Sequence, residues 1–171
     1  MDSTKELLIK KAYATPALRQ NLVNKGTLFI YCDYAGFAER NLYSAACCMV
    51  HNRSISITAK KLPFEQDRGS NYGECQAIIY SLEILAKALT EQRPKAAVIY
   101  TDCSWISRIL TNDRFTNPYL EQANAELLDA LTRLRAQFSG VEVHIRYIGK
   151  HKKNNYFHRL AHLAARQAAV R

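Results

Sequence analysis

Apolar positions along the chain fall into two periods, one of strands and one of helices. Thr27–Ala35 (TLFIYCDYA) is an apolar, β-branched and aromatic run of strand length, entered through Asn24, Lys25 and Gly26. Leu42–His51 and Ser54–Lys60 follow as two more strands around a tight turn at His51-Asn52-Arg53. The second of them alternates across Ser54-Ile55-Ser56-Ile57-Thr58, as a half-exposed strand should. These three predict an antiparallel meander. A helical stripe then carries Ala77, Ile78, Ser81, Leu82, Leu85 and Leu89 over roughly Gly73–Thr90, ended by Arg93-Pro94. Lys95–Thr101 is a fourth strand reached through that helix, a crossover that favours parallel pairing. Ser104–Leu110 predicts a short helix, and Asn117-Pro118 opens a longer one to about Phe138, ended by Gly140. Val141–Ile148 alternates as a fifth strand, and a basic loop, 149–155, leads to a C-terminal helix to about Val170. The order βββ–α–β–α–α–β–α predicts an α/β fold. Its five-stranded mixed sheet has three antiparallel strands, then parallel strands, and is flanked by helices.

Residues 1–25 precede this framework as a polar, basic, partly amphipathic extension, in which Leu7, Leu8 and Ile9 can pack and Pro16 breaks or restarts a helix. The remainder, 26–171, shows no internal repeat or linker and is expected to be one domain. With 171 residues, 48% of them hydrophobic, the chain is long enough for a substantial core. Its formal net charge is +9, which puts polyanions first among partners. The five cysteines show no CxxC or CxxH spacing, which argues against a zinc site, and Cys32, Cys47, Cys48 and Cys75, in apolar or helical context, read as small core residues in a reducing compartment. No apolar run approaches the ~18 residues of a membrane span, and the N-terminus lacks the apolar segment of a signal peptide. A cytoplasmic protein is expected.

The chemistry lies in three acids. Asp33 sits inside or just past the first strand's apolar run, Asp102 ends the fourth strand, and Glu74 opens the first long helix. A carboxylate in such a place must be solvated, paired or holding a cation. If the first and fourth strands are parallel neighbours, their C-terminal ends coincide, where ligands of such sheets sit. Three carboxylates there would repel, and hard oxygen ligands favour Mg²⁺ or Mn²⁺ over zinc. Taken singly, each has a plainer role: Glu74 as a helix N-terminal acid, Asp102 as a helix N-cap, Asp33 as a turn residue.

The order of elements and the wording around each acid resemble the ribonuclease H family, particularly its compact type I domain. FIYCDYA resembles the family's first strand, SNYGECQAIIYSLEIL its Thr/Ser-Asn-x-x-Glu helix start, and AVIYTDCSWI its strand ending in Thr-Asp-Ser. VEVHIRYIGKHKKNNYFHRLAHLA resembles its last strand, loop and Asn-x-x-Ala-Asp-x-Leu-Ala helix, so that the likeness spans about residues 26–169. The resemblance implies that Asp33, Glu74 and Asp102 bind metal. It places Asn71 at a minor-groove contact, Ser104 at a polar substrate contact and His151 near a flexible-loop histidine. The implied activity is two-metal hydrolysis of the RNA strand of an RNA–DNA hybrid, with Mg²⁺ or Mn²⁺. Two other readings share the fold: a binding module that does not cleave, and an exonuclease or junction nuclease acting on DNA.

The chain departs from the family at three places. The fourth acid is replaced by His158, which would hold a metal through nitrogen and without charge, act as a general acid–base group, or only pack and leave an impaired site. The run after Asp33 is Gly36-Phe37-Ala38-Glu39-Arg40-Asn41 rather than glycine-rich, and no basic helix intervenes between the third and fifth elements. Positive charge gathers instead at Lys5, Lys10, Lys11 and Arg19, and at Lys150, Lys152, Lys153, Arg159 and Arg166, where it suits a phosphate backbone. Tyr34, Phe37, Tyr72, Tyr156 and Phe157 are candidate stacking residues. His162, one helical turn beyond His158, reads as a surface or boundary histidine.

Overall fold

The structure, a computed structural model, describes residues 3–111 and 115–171. Its elements run α1 (Ser3–Ala14), α2 (Pro16–Val23), β1 (Thr27–Phe37), β2 (Leu42–His51), β3 (Ser54–Lys61), α3 (Ser70–Leu89), β4 (Ala96–Thr101), α4 (Ile106–Leu110), α5 (Pro118–Gln137), β5 (Glu142–Tyr147) and α6 (Tyr156–Ala169). The five strands form one mixed sheet in the order β3-β2-β1-β4-β5. β1 and β2, and β2 and β3, pair antiparallel, whereas β1–β4 and β4–β5 are parallel, as the crossover through α3 requires.

β1 lies at the centre of the sheet and is covered on both faces, which is why its sequence is an almost continuous apolar run. Leu28, Ile30 and Cys32 enter the larger core with α3 and α5, while Phe29 and Tyr31 face a second core built from α1, α2 and α6. The N-terminal extension is two helices, with Pro16 at the first position of α2, where its missing N–H costs nothing. Leu8, Ala12, Leu18 and Leu22 of these helices are buried in that second core. The β2–β3 turn is tied to the extension as well. Asn52 and Arg53 both adopt left-handed backbone, and their N–H groups donate to the carbonyls of Asn24 and Leu22 at 3.0 and 2.6 Å.

Several boundaries differ from the sequence expectation. β1 continues through Phe37 instead of ending at Ala35, and Ala38–Arg40 is a 3₁₀ turn. α3 begins three residues early, at Ser70, so Glu74 lies in its second turn and does not open it. α4 begins at Ile106, two residues later than expected, and the basic loop is a 3₁₀ turn over Gly149–Asn154. All five cysteines are buried free thiols, Cys103 included.

Gly73 decides how closely α3 approaches the sheet. A Cβ there would run into the ring of Tyr34, which is itself held among Tyr43 and Phe64 at centroid distances of 6.5 Å to each. Helix propensity alone would favour alanine by ~1 kcal/mol. The clash should reverse that sign: Gly73→Ala is expected to lower the melting temperature, through an overpacking cost of ~1–3 kcal/mol. Adding Tyr34→Leu should recover part of the loss; thermal melts of the three variants check both.

Candidate metal centre

The β1–β4 ladder ends at the pair Tyr31–Tyr100, and Asp33, within β1, and Asp102, just past the end of β4, each lie two residues further along the chain. Equal offsets from one pair bring the carboxylates to the same end of the sheet. Asp33 is buried within β1 and still paired with Ala46 of β2, so it is not a turn residue. Asp102 does not cap α4, whose N-cap position is Trp105. Asn155 starts α6 by accepting a hydrogen bond from the His158 N–H at 2.9 Å, which fixes His158 in the first turn. Small residues, Ala165 and Ala169 against Ala35 and Ala46, let α6 lie close to the sheet, and the Ser44 hydroxyl donates to the Ala165 carbonyl. His158 Nε2 thereby comes within 3.7 Å of Asp33 Oδ1. One ligand atom each from Asp33, Asp102 and His158 lie within 4.8 Å of one another.

Glu74 stands beside this trio but is not one of the three grouped donors. Burial, followed by repulsion from Asp33 and Asp102, pushes its carboxyl well above the usual carboxylate range, and Oε2 has no hydrogen-bond partner among the described residues. Burial also holds His158 below the usual imidazole range, so the ring is neutral at neutral pH and its Nε2, likewise without a hydrogen-bond partner, is a free donor atom for a cation. Asp102 meets Lys152, whose Nζ is 2.6 Å from Oδ2; this hydrogen bond raises the lysine pKa. Two unpartnered buried ligand atoms and an ammonium standing on a carboxylate are what a cation site presents when its positive charge is supplied from the side. The donor set fits a divalent ion held by oxygen and nitrogen.

Other residues singled out in the sequence are dispersed. Asn71 lines a cleft of about 440 Å³ with Ser70, Trp105, Arg108 and Asn117. Ser104 is exposed and does not line that cleft. His151 instead lines a separate cavity of about 310 Å³ beside Tyr31, Tyr100, Tyr147 and α2. Lys150 and Lys153 are exposed, and the Lys153 carbonyl accepts from Arg159 at 3.2 Å. The candidate stacking aromatics are engaged: Tyr34 with Tyr43, Tyr72 with Phe64, Phe157 with Tyr31, and Tyr156 and Phe37 under Arg159 and Arg166. Trp105, 41% exposed at the Asn71 cleft, stacks on Phe115 under Arg108 and is an aromatic that sequence reasoning missed. His162 is at the surface, as expected, but its Nδ1 lies 2.7 Å from Asp33 Oδ2, a contact the sequence did not announce.

The profile of the RNase H family matches residues 25–170, and the chain belongs to that family. No curated protein sequence matches it. Its fold is similar to that of RNase H1 from the halophilic archaeon Halobacterium salinarum NRC-1 (TM-score 0.60, 18% identity, covering 84% of this chain and 100% of that one). It is also similar to the N-terminal RNase H domain of a Mycobacterium tuberculosis protein (TM-score 0.57, 14% identity, 81% and 98% covered). A third similar structure is LC11-RNase H1 in complex with an RNA/DNA hybrid (TM-score 0.60, 14% identity, 82% and 98% covered).

Two measurements probe the charge balance. Because the folded chain holds the Glu74 proton more tightly than the unfolded chain, ionised Glu74 costs stability increasingly as pH rises above the ordinary value of 4.5. Glu74→Gln should therefore raise the melting temperature of the metal-free protein at pH 8 by a few degrees, at ~2–4 °C per kcal/mol, and by little at pH 4. An equal gain at both pH values would contradict this. Lys152→Met should tighten Mn²⁺ binding in calorimetric titration, by up to about five-fold, since a half-exposed ion pair is worth no more than ~1 kcal/mol.

Proposed function

We propose that this protein is a divalent-metal-dependent endoribonuclease that hydrolyses the RNA strand of RNA–DNA hybrids. The observation that carries the reading is the meeting of Asp33, Asp102 and neutral His158 within 4.8 Å at the C-terminal end of two parallel strands. Membership of the RNase H family and a fold similar to that of an RNase H1 bound to an RNA/DNA hybrid support the substrate class. A reducing, cytoplasmic setting is part of the same proposal.

In this reading Asp33 and Asp102 would hold the ion through oxygen and His158 through nitrogen, with Glu74 beside them as a further carboxyl that positive charge would favour in its ionised form. A divalent ion there supplies Lewis acidity and charge neutralisation to a phosphodiester. The nitrogen donor favours Mn²⁺ over Mg²⁺. Lys152, which stands on Asp102 in the structure, would supply an ammonium to a backbone phosphate if that contact were released. Asn71, Trp105 and Arg108 line the cleft along which the duplex lies, and the 2′-hydroxyl distinguishes the strand to be cut. The loss of the fourth acid to His158 favours one alternative, a module that grips a hybrid without cleaving it.

End-labelled hybrid, all-DNA duplex and RNA duplex, each incubated with Mg²⁺ and with Mn²⁺, test the proposal. The expected result is internal cleavage of RNA in the hybrid alone, faster with Mn²⁺, and reduced at least ~100-fold in Asp102→Asn. Salt-sensitive hybrid binding with no turnover in either metal would select the binding module. Equal products from wild type and Asp102→Asn would remove the enzymatic reading.

A further inference from the structure

Asp33 has two oxygens, and the structure treats them differently. Oδ1 faces His158 Nε2 at 3.7 Å, too far for a hydrogen bond, and that nitrogen has no hydrogen-bond partner. Oδ2 is taken by His162 Nδ1 at 2.7 Å, a full hydrogen-bond distance. A carboxylate can only accept, so the proton lies on Nδ1 of His162. The side chain of Asp33 is 5% exposed, whereas that of His162 is 53% exposed, so His162 reaches inward from the rim to a buried oxygen. The two histidines are four residues apart on α6 and share one face of the helix, which lies close on the sheet through Ala165 and Ala169.

We propose that His162 is a positioning residue for the metal carboxylate. It holds Asp33 by Oδ2, sets the plane of the carboxyl group, and leaves Oδ1 directed at the space shared with His158 and Asp102. Carboxylates that bind metals are commonly oriented by a hydrogen bond to the oxygen that does not bind, and loss of such a bond costs ~10–100-fold in metal affinity. The arrangement answers the substitution at position 158. With a neutral nitrogen in place of an acid, fewer negative charges attract the ion, and the donors that remain must be better ordered to hold it. This inference rests on the metal-dependent reading above and adds to it a residue outside the grouped donors.

Direct Mn²⁺ titration by calorimetry, without nucleic acid, separates the inference from the reading it rests on. Wild type should bind, and Asp33→Asn should not. His162→Ala should bind ~10-fold more weakly with a melting temperature close to that of wild type. His162→Asn should restore affinity to within about three-fold, because its amide N–H is as many bonds from Cα as Nδ1, whereas His162→Gln should not. His162→Asp should weaken binding, since a second carboxylate repels Asp33. Wild-type affinity in His162→Ala would overturn the positioning role. Affinity at or above wild type in His162→Asp would overturn it differently, by showing that the side chain at 162 reaches the ion itself. If wild type binds Mn²⁺ no better than Asp33→Asn, the metal reading falls, and this inference with it.

Discussion

Parallel pairing of β1 with β4 is the constraint from which the site follows. The ladder runs from Thr27–Ala96 to Tyr31–Tyr100 without a bulge, so residue numbers on the two strands advance together and Asp33 and Asp102 emerge level. A one-residue slip would turn every β4 side chain to the opposite face of the sheet and separate the carboxylates. The register is held by burial on both faces: Leu28, Ile30, Ala97 and Ile99 on the α3 side, Phe29, Tyr31 and Val98 on the α6 side. The two cores therefore do more than stabilise the sheet. They hold two like charges near each other in a place where neither would settle alone.

The surrounding groups are a graded answer to that repulsion. Lys152 meets the more exposed Asp102 with a full charge. His162 meets buried Asp33 with a hydrogen bond, and Glu74, buried beside them, answers by retaining a proton. His158 adds a nitrogen without adding charge. Such a cluster is tuned to receive positive charge, and its members lose stability to remain so.

Much of this was legible in the chain. The meander, the crossover helix and both later strands follow from periodicity, because strands covered on both faces must be apolar throughout and the helices show a clear stripe. Asp33, Asp102 and Glu74 stood out because carboxylates are costly beside such runs. What escaped was set by tertiary approach. The early start of α3 depends on Gly69 and the close packing of Gly73 on Tyr34, which no local signal announces. The aromatics near the motifs proved to be packing residues, since exposure is decided by neighbours distant in sequence. His162 carried a usable hint, its four-residue spacing from His158, but that spacing acquires meaning only once alanines bring α6 down onto β1. His151 and Lys152 are adjacent in one 3₁₀ turn yet belong to different places, one to a cavity wall and one to Asp102.

The family profile begins at residue 25, after the two N-terminal helices, yet those helices supply Leu8, Ala12, Leu18 and Leu22 to the same core that backs Phe29 and Tyr31. A chain trimmed to the family boundary would leave Tyr31, Cys48, Val50 and Val98 without that roof, and Asn52 and Arg53 without the carbonyls that receive their N–H groups. The border of the family profile and the border of the packed core thus do not coincide in this molecule. Grafts, fusions and minimal versions have to respect the second border, because α6, with both histidines, rests against the first helix as well as the sheet.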